Sequence, residues 1–136
     1  MSSPEAYSTI HDYLAPAWSG PTLAFENDGF QLPPTPTLWV LVEIFGDIYE
    51  QASIGAETVT ANLWREEGQI LAHVMAPRGS GTLAARQCAM QFLDLFRGQE
   101  IGDIVFETMS IGAGNAGDTT GAYFRMTASV DWRRDI

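Results

Sequence analysis

The sequence predicts an α+β domain: a mainly antiparallel β-sheet with two helices packed on one face. Three observations lead there. Stretches of period-2 alternation recur along the chain, two other stretches carry apolar residues at helical 3–4 spacing, and most strand connections are of hairpin length, which only antiparallel pairs can use. The chain has 136 residues, the size of one domain, and shows no internal repeat, so a single domain over 1–136 is expected.

The first helix opens at Ser3-Pro4-Glu5, with a Ser N-cap, Pro at the first helical position and an acid in the first turn. Tyr7, Ile10, Leu14 and Ala17 form its apolar face, and Pro16 should end it. Leu23-Ala24-Phe25 is a short strand. Residues 26–37 contain Pro33, Pro34 and Pro36 and read as a stiff, extended loop. Residues 38–49 carry the strongest strand pattern, with Val40, Val42 and Ile44 on one face and Trp39, Leu41, Glu43 and Phe45 on the other. Both faces are largely apolar. A one-sided sheet normally shows water a polar face, so something should cover the second one, either the domain's own chain or another subunit.

Alternation resumes over 57–64, Glu66-Glu67-Gly68-Gln69 reads as a solvated hairpin turn, and 70–76 returns as a strand. A tight turn at 77–82, with Ser80 or Thr82 as N-cap, leads into a second helix that runs to about Arg97 and closes on Gly98. Its apolar stripe is Ala85, Cys88, Ala89, Phe92 and Phe96. A strand over 104–109, a glycine-rich hairpin loop over 112–121 and a last strand over 122–132 complete the chain. In that last strand Ala122, Phe124, Met126, Ala128, Val130 and Trp132 should face the core. Each large side chain buried there stabilises the fold by roughly 1.5–3 kcal/mol.

Charge narrows the function. The net charge is −10, there is no lysine, and the first arginine is Arg65. The eight acids before it (Glu5, Asp12, Glu26, Asp28, Glu43, Asp47, Glu50 and Glu57) place −8 of that charge in the first 64 residues. Duplex DNA is gripped mainly through phosphate neutralisation by Lys and Arg, so this surface should repel DNA or simply keep the protein soluble. Cys88 is the sole cysteine, which rules out an intrachain disulfide and a cysteine-based zinc site. The first 20 residues lack a basic and an apolar run, so no signal peptide is expected, and no apolar stretch approaches the ~20 residues of a membrane span.

No reaction chemistry emerges from the residue pattern. Without lysine the Gly79-Ser80-Gly81-Thr82 junction cannot be a Walker loop, and Ala84 stands where a dinucleotide-binding loop needs its last glycine. Cys88 lies on an apolar stripe and reads as a core residue. His11 and His73 stand apart and read as surface or structural histidines. No carboxylate pair occupies an apolar setting. No catalytic residue, cofactor or metal is expected, and the chain reads as a non-enzyme. Trp39 and Trp64 are placed on outer strand faces, where tryptophan serves either as core or as an interface anchor.

The order of motifs resembles one family. A first helix is followed by Phe25-Glu26-Asn27, a proline loop, the strand over 38–45 and Glu67-Gly68. Pro77-x-Gly79-x-Gly81 then opens a helix ending in Phe96-x-Gly98, and the last strand finishes near Trp132. Over nearly its whole length the chain resembles the tail terminator, or tail completion, proteins of long-tailed phages and phage-like gene transfer agents. The resemblance implies an α+β subunit of a ring, usually a hexamer, at the head-proximal end of a tail tube. Such a ring ends polymerisation of the tube protein, meets the head–tail connector or stopper protein, and lets DNA through its lumen without sequence-specific binding. It implies assembly in the bacterial cytoplasm, residence in the virion or particle tail, and no membrane. Trp39, Leu41, Glu43, Phe45, Trp64 and Arg125 are then expected at the subunit interface, and Pro33, Pro34, Asn115 and Asp118 in loops that reach partners. Three alternatives stay open: another head–tail joining or tube subunit, a non-catalytic adaptor, and a small ligand-binding enzyme domain.

Overall fold

The computed structural model describes residues 2–112 and 121–136. Helix α1 (Pro4–Ala17) precedes strands β1 (Thr22–Phe25) and β2 (Trp39–Gln51). A 3-10 turn at Val59–Ala61 leads to β3 (Trp64–Pro77) and α2 (Leu83–Asp94). Strands β4 (Glu100–Ile101), β5 (Ile104–Ser110) and β6 (Tyr123–Asp135) follow. The strands form one six-stranded sheet in the order β1-β2-β3-β6-β5-β4. All neighbours are antiparallel except β1 and β2, which run parallel. The connection 26–38 is long enough to carry the chain back to the start of β2, a return that a hairpin cannot make.

One sheet face is buried under both helices. Val40, Val42, Ile44, Ile70, Ala72, Val74, Met126, Ala128, Val130 and Trp132 pack against Ala6, Ile10 and Leu14 of α1 and Ala85, Cys88, Ala89 and Phe92 of α2. The predicted α+β architecture, with two helices on one face, is the observed one. Cys88 belongs to this core, and burial pushes its thiol up to about 11.

Several local expectations fail. Residues 57–64 form a loop and a 3-10 turn in place of a strand, and the turn expected at 66–69 lies inside β3. There Gly68 pairs with Gly46 on one side and Trp132 on the other. A Cβ on Gly68 would overlap the Phe45 carbonyl oxygen and the Trp132 ring, so this glycine permits a close approach and does not make a turn. Helix α1 passes through Pro16 by one residue, and the Trp18 N–H reaches the Leu14 carbonyl at 3.0 Å. Helix α2 stops at Asp94; a looser turn follows, with Asp94 and Arg97 paired at 2.7 Å and Gly98 at φ 72°. Ala122 is exposed just ahead of β6, whereas Phe124, partly buried, packs against the core as expected. The two-residue β4, folded back through Gly102 at φ 61°, is too short to show a period.

The two helix starts differ. Ser3 caps α1 by accepting from Ala6 N–H at 3.2 Å. Thr82 occupies the N-cap position of α2, but its hydroxyl accepts from Arg86 Nε at 3.1 Å and makes no backbone cap, while Ser80 Oγ donates to the Pro77 carbonyl at 2.6 Å.

Candidate assembly surface

The face away from the helices follows from the register. Its cross-strand rows on β2, β3 and β6 are Trp39–Met75–Arg125, Leu41–His73–Thr127, Glu43–Leu71–Ser129 and Phe45–Gln69–Asp131. The register then shifts between Gly46 and Ile48, and the rows continue as Ile48–Glu67–Arg133 and Glu50–Arg65–Asp135. Five of the six expected interface residues (Trp39, Leu41, Glu43, Phe45 and Arg125) therefore share this face.

The face is mixed, because β3 and β6 supply polar partners that β2 alone does not reveal. His73 sits near its middle, 2.8 Å from Thr127 Oγ1 and 3.2 Å from Glu43 Oε1. A carboxylate only accepts, so Nε2–H donates to Glu43 and Nδ1 accepts from the Thr127 hydroxyl. Burial lowers the His73 pKa and the nearby Arg125 adds to this, while Glu43 opposes it. The imidazole is a neutral clamp across three strands. Lower down, Gln69 Nε2 donates to Asp131 at 2.9 Å and Arg65 grips Asp135 through two hydrogen bonds of 2.7 and 3.0 Å. The hydrogen bonds from Arg65 hold the Asp135 carboxyl below its usual range.

Two placements change. Trp39 is only 9% exposed, because Phe30 from the proline connection lies 4.5 Å away, ring to ring, and Tyr123 meets it edge-on. Part of the second face is thus covered by the chain itself. Trp64 lies on the opposite face: its β3 neighbour Arg65 points outward, so Trp64 points to the helix side. It packs on Tyr49 and donates Nε1–H to the Val59 carbonyl at 3.3 Å. Pro33 is half-buried and Pro34 exposed on the connection that carries Phe30. Asn115 and Asp118 lie outside the described residues.

The exposed apolar side chains gather elsewhere than expected. Phe45, Ile48, Tyr49, Ile54, Val59 and Leu63 line the far half of β2 and its connection to β3. Below the reach of β1, this stretch of β2 pairs only with β3 among the described residues. The alternation over 38–49 points to Phe45, and Val59 and Leu63 join it because 57–63 is loop and 3-10 turn in place of strand.

A second cluster has no local signal in the sequence, because its members are far apart along the chain. Glu66 is 3% exposed and accepts from Ser3 N–H at 2.7 Å and Ser3 Oγ–H at 2.6 Å, so the cap of α1 is tied to β3. Arg134 lies 3.6 Å from Glu66 and 2.9 Å from Asp103. Burial works against the Arg134 charge, but the Asp103 hydrogen bond and the Glu66 charge outweigh it and its pKa is raised. Among the described residues no three His, Cys, Asp or Glu side chains cluster as metal ligands, and no helix is long and apolar enough to cross a membrane.

No protein-family model and no curated protein matches the chain. One solved structure, of a protein without a functional description, superposes with a TM-score of 0.60 at 20% identity. The match covers 97% of this chain and 92% of that one. At that identity the likeness shows the fold alone.

Proposed function

We propose that this chain is a structural ring subunit of the tail terminator kind, non-catalytic, acting at the head-proximal end of a phage-like tail tube. The order of motifs along the chain supports the reading, from Phe25-Glu26-Asn27 through Pro77-x-Gly79-x-Gly81 to Trp132. The observation that carries it is the exposed apolar stretch along the lower half of β2 and its connection to β3. Phe45 and Ile48 lie on the face away from the helices and Tyr49 on the helix side, so the exposed apolar side chains wrap this edge of the sheet, and large exposed apolar surface of this kind marks protein–protein contact. A patch of one sign of chemistry, met by a different patch on the next copy, closes into a ring when the rotation between copies allows it.

In this role the chain ends growth of the tube protein and meets the connector or stopper protein. The acidic surface keeps DNA from adhering as it passes. Particles assembled without this chain should carry tubes of unregulated length and few joined heads. Tubes of normal length joined to heads in its absence would refute the reading. A tube subunit would instead polymerise by itself into long cylinders, and an adaptor would bind its partner one to one.

A further inference from the structure

The described charges are segregated along the strand axis. Three segments meet at one end of the sheet, 29–41, 73–86 and 121–127, and they contain Arg78, Arg86 and Arg125 but no acid. The register fixes this meeting: Met75 lies opposite Arg125, and Arg78 N–H donates to the Ala122 carbonyl at 2.8 Å. Helix α2 starts at the same end, adding the positive pole of its dipole. Arg125 and Arg86 make no ion pair with a described acid.

The other end is the reverse. Asp47, Glu50, Glu57, Glu67 and Glu107 lie there, on the far half of β2, the start of β3, the connection between them and the start of β5. The arginines at this end are engaged: Arg65 with Asp135, Arg133 with Glu107, and Arg134 with Glu66 and Asp103. The acids surround the exposed apolar stretch, in which Ile54 is 90% exposed. The basic end offers Leu83, 69% exposed, beside its arginines.

The two ends cannot neutralise each other within one molecule. Arg125 lies opposite Met75, and the Asp47–Glu50 stretch lies opposite Glu67 to Arg65, so they are separated by about 26–33 Å along β3 at roughly 3.3 Å per residue. Charges farther apart than the ~8 Å Debye length at physiological salt are largely screened.

We infer that the basic end of one copy, carrying Arg86 and Arg125, docks on the acidic, apolar end of a second copy around Asp47 and Glu50. Charge complementarity selects the occupant: an acid-rimmed apolar patch fits a basic surface with an apolar centre, and this chain carries one. The contact is heterologous, and like ends repel. The inference deepens the ring reading and rests on it only for closure of successive contacts into a ring.

Two charge-reversed variants test it by sedimentation velocity at low and high salt. Wild-type protein should associate, and less so as salt rises. Arg86→Glu/Arg125→Glu has two acidic ends and Asp47→Arg/Glu50→Arg loses its acidic docking end. Each alone should need roughly tenfold more protein to associate. An equimolar mixture should recover wild-type association, because the two variants alternate; recovery also shows that both are folded. Three results overturn the inference: a wild type that stays monomeric at both salts, association indifferent to the reversals, or a mixture that fails to recover. A short DNA duplex held by the basic end of a chain that remains monomeric would overturn it in favour of a polyanion. If association follows this pattern but tube growth is never stopped, the terminator reading falls and the contact stands. If tube growth stops while the reversals leave the mass unchanged, the contact falls and the terminator reading stands.

Discussion

Replacing Glu66 by alanine should be among the most destabilising single changes outside the apolar core. The carboxylate is 3% exposed and accepts two short hydrogen bonds from Ser3. Its loss strips the Ser3 N–H of a partner, frees the N-cap of α1 from the sheet, and removes an anion 3.6 Å from Arg134. Hydrogen bonds to a charged group contribute about 1.5–3 kcal/mol each, and breaking a buried ion pair leaves its partner uncompensated. Ser3 is half-buried and Arg134 keeps Asp103, so the sum is discounted to about 2–4 kcal/mol. For a domain of this length that lowers Tm on the order of 10 °C. Urea unfolding with an unchanged m value is the assay. Glu67→Gln, one residue along on the other face, is the control and should change stability by less than about 0.5 kcal/mol. If Glu66→Ala falls within that same margin, the tie between helix cap and sheet has been misjudged.

Gly68→Ala should prevent stable folding or cost more than about 3 kcal/mol, because the new methyl group has the Phe45 carbonyl and the Trp132 ring in its way; near-wild-type unfolding in urea would contradict the close approach of β2 and β3. His73 gives a pH dependence with a definite sign. Its folded pKa is lowered, so the unfolded chain binds the proton more readily, and stability should decline as pH falls below about 6.5 and level off below the folded value. Stability curves at several pH values should show that slope reduced in His73→Gln, and an unchanged slope would place its origin elsewhere. Phe45→Asp should leave the fold intact, since Phe45 is 42% exposed, while raising the concentration needed for association at least tenfold by light scattering; unchanged association removes Phe45 from the interface. Trp39→Asp cannot serve that purpose, because Trp39 is covered within its own chain.

What the sequence made legible was whatever has a period. Helix α1 was readable from Ser3-Pro4-Glu5 and its 3–4 stripe, β2 and β6 from clean alternation, and the burial of Cys88 from its place on a helical stripe. The failures have physical causes. Glycine beside two acids reads as a turn, but Gly68 admits a neighbouring backbone, and Glu66 finds a partner 63 positions away. Trp64 faces the helix side because β3 begins at Trp64 and not at Glu57, and an odd slip in register turns every side chain over. The cover over Trp39 comes from Phe30, which no local pattern connects to it. The end-to-end charge separation was invisible for a related reason. Arg78, Arg86 and Arg125 are scattered in sequence and are gathered only by the pairing of β3 with β6.

The central claim is that this chain stops tube growth, and it is tested most directly by tube length. The purified tail tube protein would be allowed to polymerise with and without this chain, and tube lengths measured in negative stain. The account predicts short tubes capped at one end by this protein, in proportion to the amount added. Tubes that grow equally long in its presence, with no protein at their ends, would contradict it.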